Sequence, residues 1–164
     1  MTLRTWKRRR LENKTDYKLR LGLLKSSLSR IVVRKTNKYI ILQVVESKEA
    51  QDKVVFGLTS KDLLEYGWDE KFAGSLKSVP ASYLTGYLAG KKIKKGDFIL
   101  DMGMLIKQKG GRVFAVVAGL VDSGINLRAN SEVFPKKEKI IGESLRPEVK
   151  AIIEKVKEKI DSKK

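Results

Sequence analysis

The sequence contains neither cysteine nor histidine. Without cysteine there is no disulfide framework and no thiolate chemistry. Without histidine there is neither a Ser-His catalytic pair nor the usual zinc site. Acidic residues are also in deficit: 19 Asp and Glu stand against 36 Lys and Arg, a net charge of +17. No apolar run approaches the roughly 20 residues of a membrane span, and no apolar block of about 7 to 15 residues follows the basic N-terminus as in a secretory signal. These absences remove most enzyme chemistries and predict an intracellular protein. The positive balance favours a polyanionic partner, nucleic acid before an anionic membrane surface.

What is present is enough for one globular core: 164 residues, 41% apolar and 34% charged. The charge is concentrated. Residues 1–38 hold 13 Lys or Arg and 2 Asp or Glu, net +11, whereas the other 126 residues carry only +6. This division predicts a basic arm with a short helix over residues 1–29 and a single α/β domain over residues 30–164 that ends in an amphipathic helix. Like charges around Lys7, Arg8, Arg9 and Arg10 repel, so the first dozen residues are expected to stay disordered until phosphate neutralises them. Asp16 is placed to cap a short helix carrying Leu19, Leu21, Leu23 and Leu24, which would dock the arm rather than leave it a solvated tail.

The stretch from Arg30 to Glu46 reads as a β-hairpin. Ile31, Val32, Val33, Tyr39, Ile40, Ile41, Val44 and Val45 suit a pleated surface, and Lys35-Thr36-Asn37-Lys38 supplies the turn. Alternation puts Arg30 and Arg34 on one face, beside Lys35 and Lys38 at the turn, so one end of the hairpin is cationic. The second strand is apolar on both faces, as for a strand covered on both sides. Residues 52–59 read as a third strand, completing an antiparallel meander. Ser60 is expected to cap a short helix ending near Gly67, residues 69–77 to form a loop, and Ser78 to cap a second helix that closes at Gly96. Lys91, Lys92, Lys94 and Lys95 suit that helix's C-terminus, and Gly86 and Gly90, four apart, suit close packing. Asp97 to Asp101 reads as a strand parallel to a neighbour, because a helix precedes it. The run from Val113 to Val121 fits a buried strand or a buried helix by periodicity, and Ala115, Ala118 and Gly119 favour the helix. Residues 125–145 read as loop with a short strand, and residues 147–160 as a helix with Val149, Ile152, Ile153, Val156 and Ile160 on one face.

The ordered combination of Arg8-Arg9-Arg10, Lys14-Thr15-Asp16-Tyr17, residues 30–40, Asp62-Leu63, Glu65-Tyr66-Gly67-Trp68, residues 80–90, Leu100-Asp101-Met102-Gly103, Arg112-Val113-Phe114-Ala115 and Asp122-Ser123-Gly124 resembles a known family. It is the archaeal-type 5S-rRNA-binding protein of the large ribosomal subunit, numbered eighteen in the universal nomenclature. Departures exist: Leu58-Thr59-Ser60-Lys61 stands where the family often has Ala-His-Ser-Ser, Tyr39 where histidine is common, and the stretch after Leu127 diverges. The resemblance implies a ribonuclease H-like α/β architecture, with helices on both faces of a mixed sheet and a helical 113–121. It also implies a cytoplasmic ribosomal constituent that holds 5S rRNA in the central protuberance through its basic arm and hairpin. The partners implied are 5S rRNA, 23S rRNA and neighbouring large-subunit proteins, with no membrane, small-molecule substrate or cofactor.

Side-chain chemistry divides the expected RNA contacts. Arginine forks grip phosphate bidentately, which gives positioning roles to Arg8, Arg9, Arg10, Arg20, Arg30 and Arg34; Lys7, Lys14, Lys35 and Lys38 act as less directional charges. Thr15, Tyr17, Thr36, Asn37, Tyr39, Thr59 and Ser60 offer hydrogen bonds to sugar hydroxyls or base edges, or stacking in the case of the tyrosines. The competing enzyme reading gathers Asp62, Asp97, Asp101 and Asp122 into a two-metal nuclease site. Against it, Asp62 suits a helix first turn and Asp97 a strand opening.

Overall fold

The structure, a computed structural model, describes residues 5–49, 51–94, 96–143, 145 and 147–162. Ser29–Lys35 (β1) and Ile40–Lys48 (β2) form the hairpin, antiparallel from Arg30 opposite Val45 to Lys35 opposite Ile40. Gln51–Thr59 (β3) continues the meander past an irregularity at Val44/Val45. Asp97–Asp101 (β4) lies parallel to β1, and the two-residue Asn126–Leu127 (β5) lies parallel to β4. The five-stranded mixed sheet therefore has the order β3-β2-β1-β4-β5. Parallel pairing of β1 and β4 requires a crossover, and the helical residues between β3 and β4 provide it.

Val79–Lys92 (α3) starts where the Ser78 hydroxyl accepts the Ala81 N–H, with Pro80 in the first turn. Arg112–Asp122 (α4) settles the ambiguous apolar run as a helix. The two helices pack closely because small residues stand at their crossing. A Cβ added at Gly86 would collide with the backbone oxygen of Val116, and one at Gly119 with that of Tyr83. At Gly90 it would collide with the Ser123 side chain. Every residue of α3 from Pro80 to Gly90 is buried. On one side Ala89, together with Val116, Val117 and Leu120 of α4, meets Ile31, Val33, Ile40, Leu42 and Val44 of the sheet. On the other, Leu84 and Leu88 share a cluster with Leu63, Leu76 and the stripe Val149, Ile153, Val156 and Ile160 of Pro147–Ser162 (α6). That stripe is core. Near its end α6 is held to α3 by the Tyr87 hydroxyl, which donates to Asp161 at 2.7 Å, and by Lys91 at 3.2 Å from the same carboxylate. Burial and the Asp161 carboxylate both push the Tyr87 phenol up.

Several local expectations are corrected. Thr59, not Ser60, is the N-cap of a 3-10 helix over Ser60–Tyr66: β3 runs through Thr59, whose N–H is accepted by Asp62 at 2.8 Å, and Gly67 ends the turn with φ of 95°. Residues 69–77 are not wholly loop, because Asp69 caps a 3-10 helix over Glu70–Ser75. Helix α3 ends at Lys92 rather than at Gly96, with Lys91 and Lys92 in its last turn; Lys95 lies outside the described residues. Besides β5, residues 125–145 contain a 3-10 turn, Ser131–Val133, and a short helix, Lys137–Ile141 (α5).

The sheet's two faces are unequal. Helices α3 and α4 cover one. The opposite face, carrying Arg30, Val32 and Arg34, receives the N-terminal helix Tyr17–Lys25 (α2), whose Leu23 is buried. Ile41 and Gln43 on this face are only half-buried and Gly57 is exposed, so β2 is not enclosed on both sides. Before α2, Arg8–Leu11 (α1) forms a single turn. Local pairing counters the charge repulsion that argues against order there: Glu12 lies 2.8 Å from Lys14 and 3.6 Å from Arg8, and Arg9 donates to the Thr15 hydroxyl at 2.8 Å.

Candidate nucleic-acid interface

The site is built from three pieces of chain: α1 and α2, the hairpin tip, and the C-terminal end of β4. Strand alternation puts Arg30 and Arg34 two residues either side of Val32, and the parallel register sets Asp101 opposite Val32. One carboxylate thereby reaches both guanidinium groups, Arg30 at 3.1 Å and Arg34 at 2.9 Å, and also accepts the Gly103 N–H at 2.8 Å. Arg30 extends the other way across β2 to Asp52 of β3 at 2.6 Å and to the Ser47 hydroxyl at 2.7 Å. Asp52 in turn accepts from Arg20 of α2 at 2.9 Å. The result is a ladder, Arg20–Asp52–Arg30–Asp101–Arg34, that ties the N-terminal segment to three strands. Burial pushes the Asp52 carboxyl up, but hydrogen bonds from Ser47, Arg20 and Arg30 outweigh it and hold the group below its ordinary 3.8.

The ladder sorts its arginines. The Arg30 side chain is 3% exposed and committed to carboxylates, so it lies beneath the surface that a partner would touch. Its Nε–H has no partner among the described residues. The Arg34 side chain is 40% exposed. Its Nη1 donates to the backbone oxygens of Val33 and Asp101, and its Nη2 to the Asp101 carboxylate. A guanidinium has five N–H donors in a fixed fork, so the Nε–Nη2 edge keeps two for a further acceptor. Arg34 lines a hollow of about 90 Å³ together with Arg9, Lys14, Thr15 and Arg20, and with the carboxylates of Asp16 and Asp101. Four cations from residues 9 to 34 converge there.

The other expected contacts fall into distinct settings. Lys7, Arg8, Arg9, Arg10 and Lys14 are exposed, and Tyr17 is half-buried with the Lys7 ammonium 4.5 Å from its ring centre. Lys35, Thr36, Asn37 and Lys38 are exposed at the hairpin tip. The Thr36 hydroxyl is used by the turn itself, donating to the Tyr39 carbonyl at 2.8 Å and accepting its N–H at 2.9 Å. Among described residues other than glycine, positive φ is confined to Asn13, Ser27 and Glu49, so Asn37 does not hold a left-handed turn. Tyr39 packs its ring against the helical core, and Thr59 is half-buried at the end of β3. Ser60 is fully buried and accepts the Ile40 N–H at 3.1 Å, joining the 3-10 helix to the start of β2. Sequence reasoning passed over Asp52 and Asp101 as the groups that orient the arginines. The available signal was Arg30 itself, since a charge inside an apolar strand requires a buried partner.

The four aspartates of the nuclease alternative are dispersed into separate structural uses. Asp62 caps the turn after β3, Asp97 accepts from Asn126 at 2.6 Å, Asp101 holds two arginines, and Asp122 accepts the Tyr83 hydroxyl at 2.7 Å. Among the described residues no three metal-ligating side chains gather.

Comparison with known proteins agrees with this picture. A family model described as "Ribosomal large subunit proteins 60S L5, and 50S L18" matches residues 2–97. The chain is 45% identical to large ribosomal subunit protein uL18 of Korarchaeum cryptofilum over 141 residues, covering 84% of this chain and 70% of that protein. It is 39% identical to uL18 of Methanothrix thermoacetophila over 142 residues, covering 85% and 82%. With uL18 of Methanococcoides burtonii it shares 38% over 161 residues, covering 93% and 91%. The family is structural rather than enzymatic, which retires the nuclease reading, and its members are constituents of the large ribosomal subunit, in the cytoplasm, with rRNA and other ribosomal proteins around them. The chain thus belongs to the uL18 family of large ribosomal subunit proteins.

Proposed function

We propose that the protein binds 5S rRNA and helps attach it to the central protuberance of the large subunit, with 23S rRNA as a second contact. The observation that carries this reading is the convergence of Arg9, Lys14, Arg20 and Arg34 on one hollow, with the exposed Lys7 to Arg10 run on one side of it. Residues 1–29 act as a basic arm on a single α/β domain formed by residues 30–164. The strand order, with an antiparallel meander followed by two parallel strands, supports a ribonuclease H-like architecture for that domain. Arm cations neutralise phosphates, and the Arg34 edge takes one phosphate bidentately. Asn37 with Lys35 and Lys38 reads backbone hydroxyls or base edges from the hairpin tip. Tyr17, Thr15, Thr36, Tyr39 and Thr59 border this surface, whereas Arg30 and Ser60 support it from below.

The test is titration of 5S rRNA and of an unrelated structured RNA across salt concentration. Affinity for 5S rRNA is expected to fall linearly in log–log terms, with a slope reflecting several phosphates, and to exceed that for the unrelated RNA throughout. Salt-independent binding, or equal affinity for both RNAs, would overturn the proposal.

A further inference from the structure

A second concave surface lies away from the arm. The parallel strands β1 and β4 end side by side, and chain connections leave them in opposite directions, β1 toward β2 and β4 toward β5. In open α/β sheets such a point leaves a crevice beyond the carboxyl ends of the strands. Here the crevice is a groove of about 890 Å³ between the segment following β4, the start of α3 and the first turn of α4. Its floor is apolar, with Pro80, Leu105, Phe114 and Leu145 among the lining residues. On its lip Met104 is 53% exposed and Ile106 is 91% exposed. Adjacent large apolar side chains so exposed mark an interaction surface rather than ordinary scatter.

The rim fixes the sign of the partner. Lys35, Arg112 and Lys139 line the groove, and among its described lining residues there is no carboxylate. A phosphodiester chain gains from the cations but nothing from an aliphatic floor, and among the described lining residues Phe114 is the single aromatic ring for a base to stack on. A polypeptide carrying an apolar anchor flanked by acidic side chains satisfies both the floor and the rim. We infer that this groove docks an acidic protein segment, from a neighbouring protein of the large subunit, that inserts a large apolar side chain beside Ile106 and places carboxylates against Arg112 and Lys139. The inference rests on membership of the large subunit and goes beyond the RNA reading, with which it shares only Lys35.

The test uses the full chain carrying p-benzoylphenylalanine in place of Ile106, assembled into large subunits, irradiated and analysed by mass spectrometry of the crosslinked fragment. The expected adduct is on a ribosomal-protein segment with acidic residues flanking an apolar one. Adding Lys139→Glu should lower its yield about tenfold by opposing the carboxylates. Both positions are exposed, so the fold is not at stake. An adduct on rRNA, on a protein segment without acidic residues, or on nothing would overturn the inference, as would a yield unchanged by Lys139→Glu. Titration of the same variants with 5S rRNA keeps the two proposals distinguishable, because absence of the protein adduct in the Ile106 variant without the Lys139 change, with RNA binding intact, counts against the groove alone.

Discussion

Replacing Arg30 with lysine separates a buried support from a surface contact. Arg30 donates three charge-assisted or polar hydrogen bonds, to Asp101 at 3.1 Å, Asp52 at 2.6 Å and Ser47 at 2.7 Å, from a side chain that is 3% exposed. Lysine keeps the charge but is a point donor, and it cannot bridge carboxylates on opposite sides of β1. One of the two loses its Arg30 contact and keeps only the others, Arg20 and Ser47 for Asp52 or Arg34 and the Gly103 N–H for Asp101. Breaking a buried pair costs about 3–5 kcal/mol, and the ion pair that lysine retains reduces this to about 2–4 kcal/mol. For a chain of this length that corresponds to a fall in Tm of roughly 5–15 °C. Calorimetry or circular dichroism would read it. RNA affinity measured well below the transition should change by less than about twofold, because the Arg30 side chain lies beneath the surface proposed for RNA. Arg34→Lys should do the reverse: it removes the planar fork of a residue that lines the hollow and weakens RNA binding by about 1–2 kcal/mol, with a smaller effect on Tm. A stable Arg30→Lys protein that no longer binds RNA would refute the assignment and return Arg30 to the contact surface.

Three further outcomes follow from the packing and the turns. Gly86→Ala should destabilise by about 1–3 kcal/mol or more, visible in chemical denaturation, because its methyl group meets the Val116 backbone rather than a movable side chain. Asn37→Ala and Asn37→Gly should behave alike, leaving Tm unchanged and reducing preference for 5S rRNA over an unrelated RNA; recovery of preference in the glycine variant alone would show that Asn37 shapes the turn after all. The Asp52 carboxyl is held below its ordinary value in the folded state, so its contribution is present above about pH 4 and is lost as pH falls through the folded value. Denaturation midpoints of the native protein and of Asp52→Asn should therefore converge on acidification, and parallel curves would contradict the ladder.

The parts of the fold that local chemistry dictates were legible in the sequence. Branched and aromatic residues announced the hairpin, Asp16 and Ser78 announced the starts of α2 and α3, and the alternating four- and three-residue spacing of Val149, Ile153, Val156 and Ile160 announced the buried face of α6. The glycines of α3 correctly implied close approach, though not that α4 would be the neighbour. Less legible were features that depend on register. Alternation places Arg30 and Arg34 on one face, but whether that face is wet is decided by β4, 71 residues from Arg30 at Asp101, and by the reach of β3. A shift of one residue likewise moved the cap from Ser60 to Thr59, because the strand continued through Thr59 and turned the Ser60 hydroxyl inward. The short 3-10 turn over Glu70–Ser75 carries too few residues for a periodic signal.

The ladder also divides the proposed RNA surface by stiffness. A free arginine surrenders roughly 2 kcal/mol of rotamer freedom when a partner fixes it. Asp52 and Asp101 already hold Arg20 and Arg34 in the folded protein, so those two guanidinium groups lose little further freedom when a phosphate arrives. Among the described residues the exposed side chains of α1 have no such carboxylate scaffold in the sheet, so they are free to follow the contour of whatever backbone they meet. A fixed pair of forks beside an adaptable run of cations lets one part of the protein choose the position of the RNA while the other conforms to it.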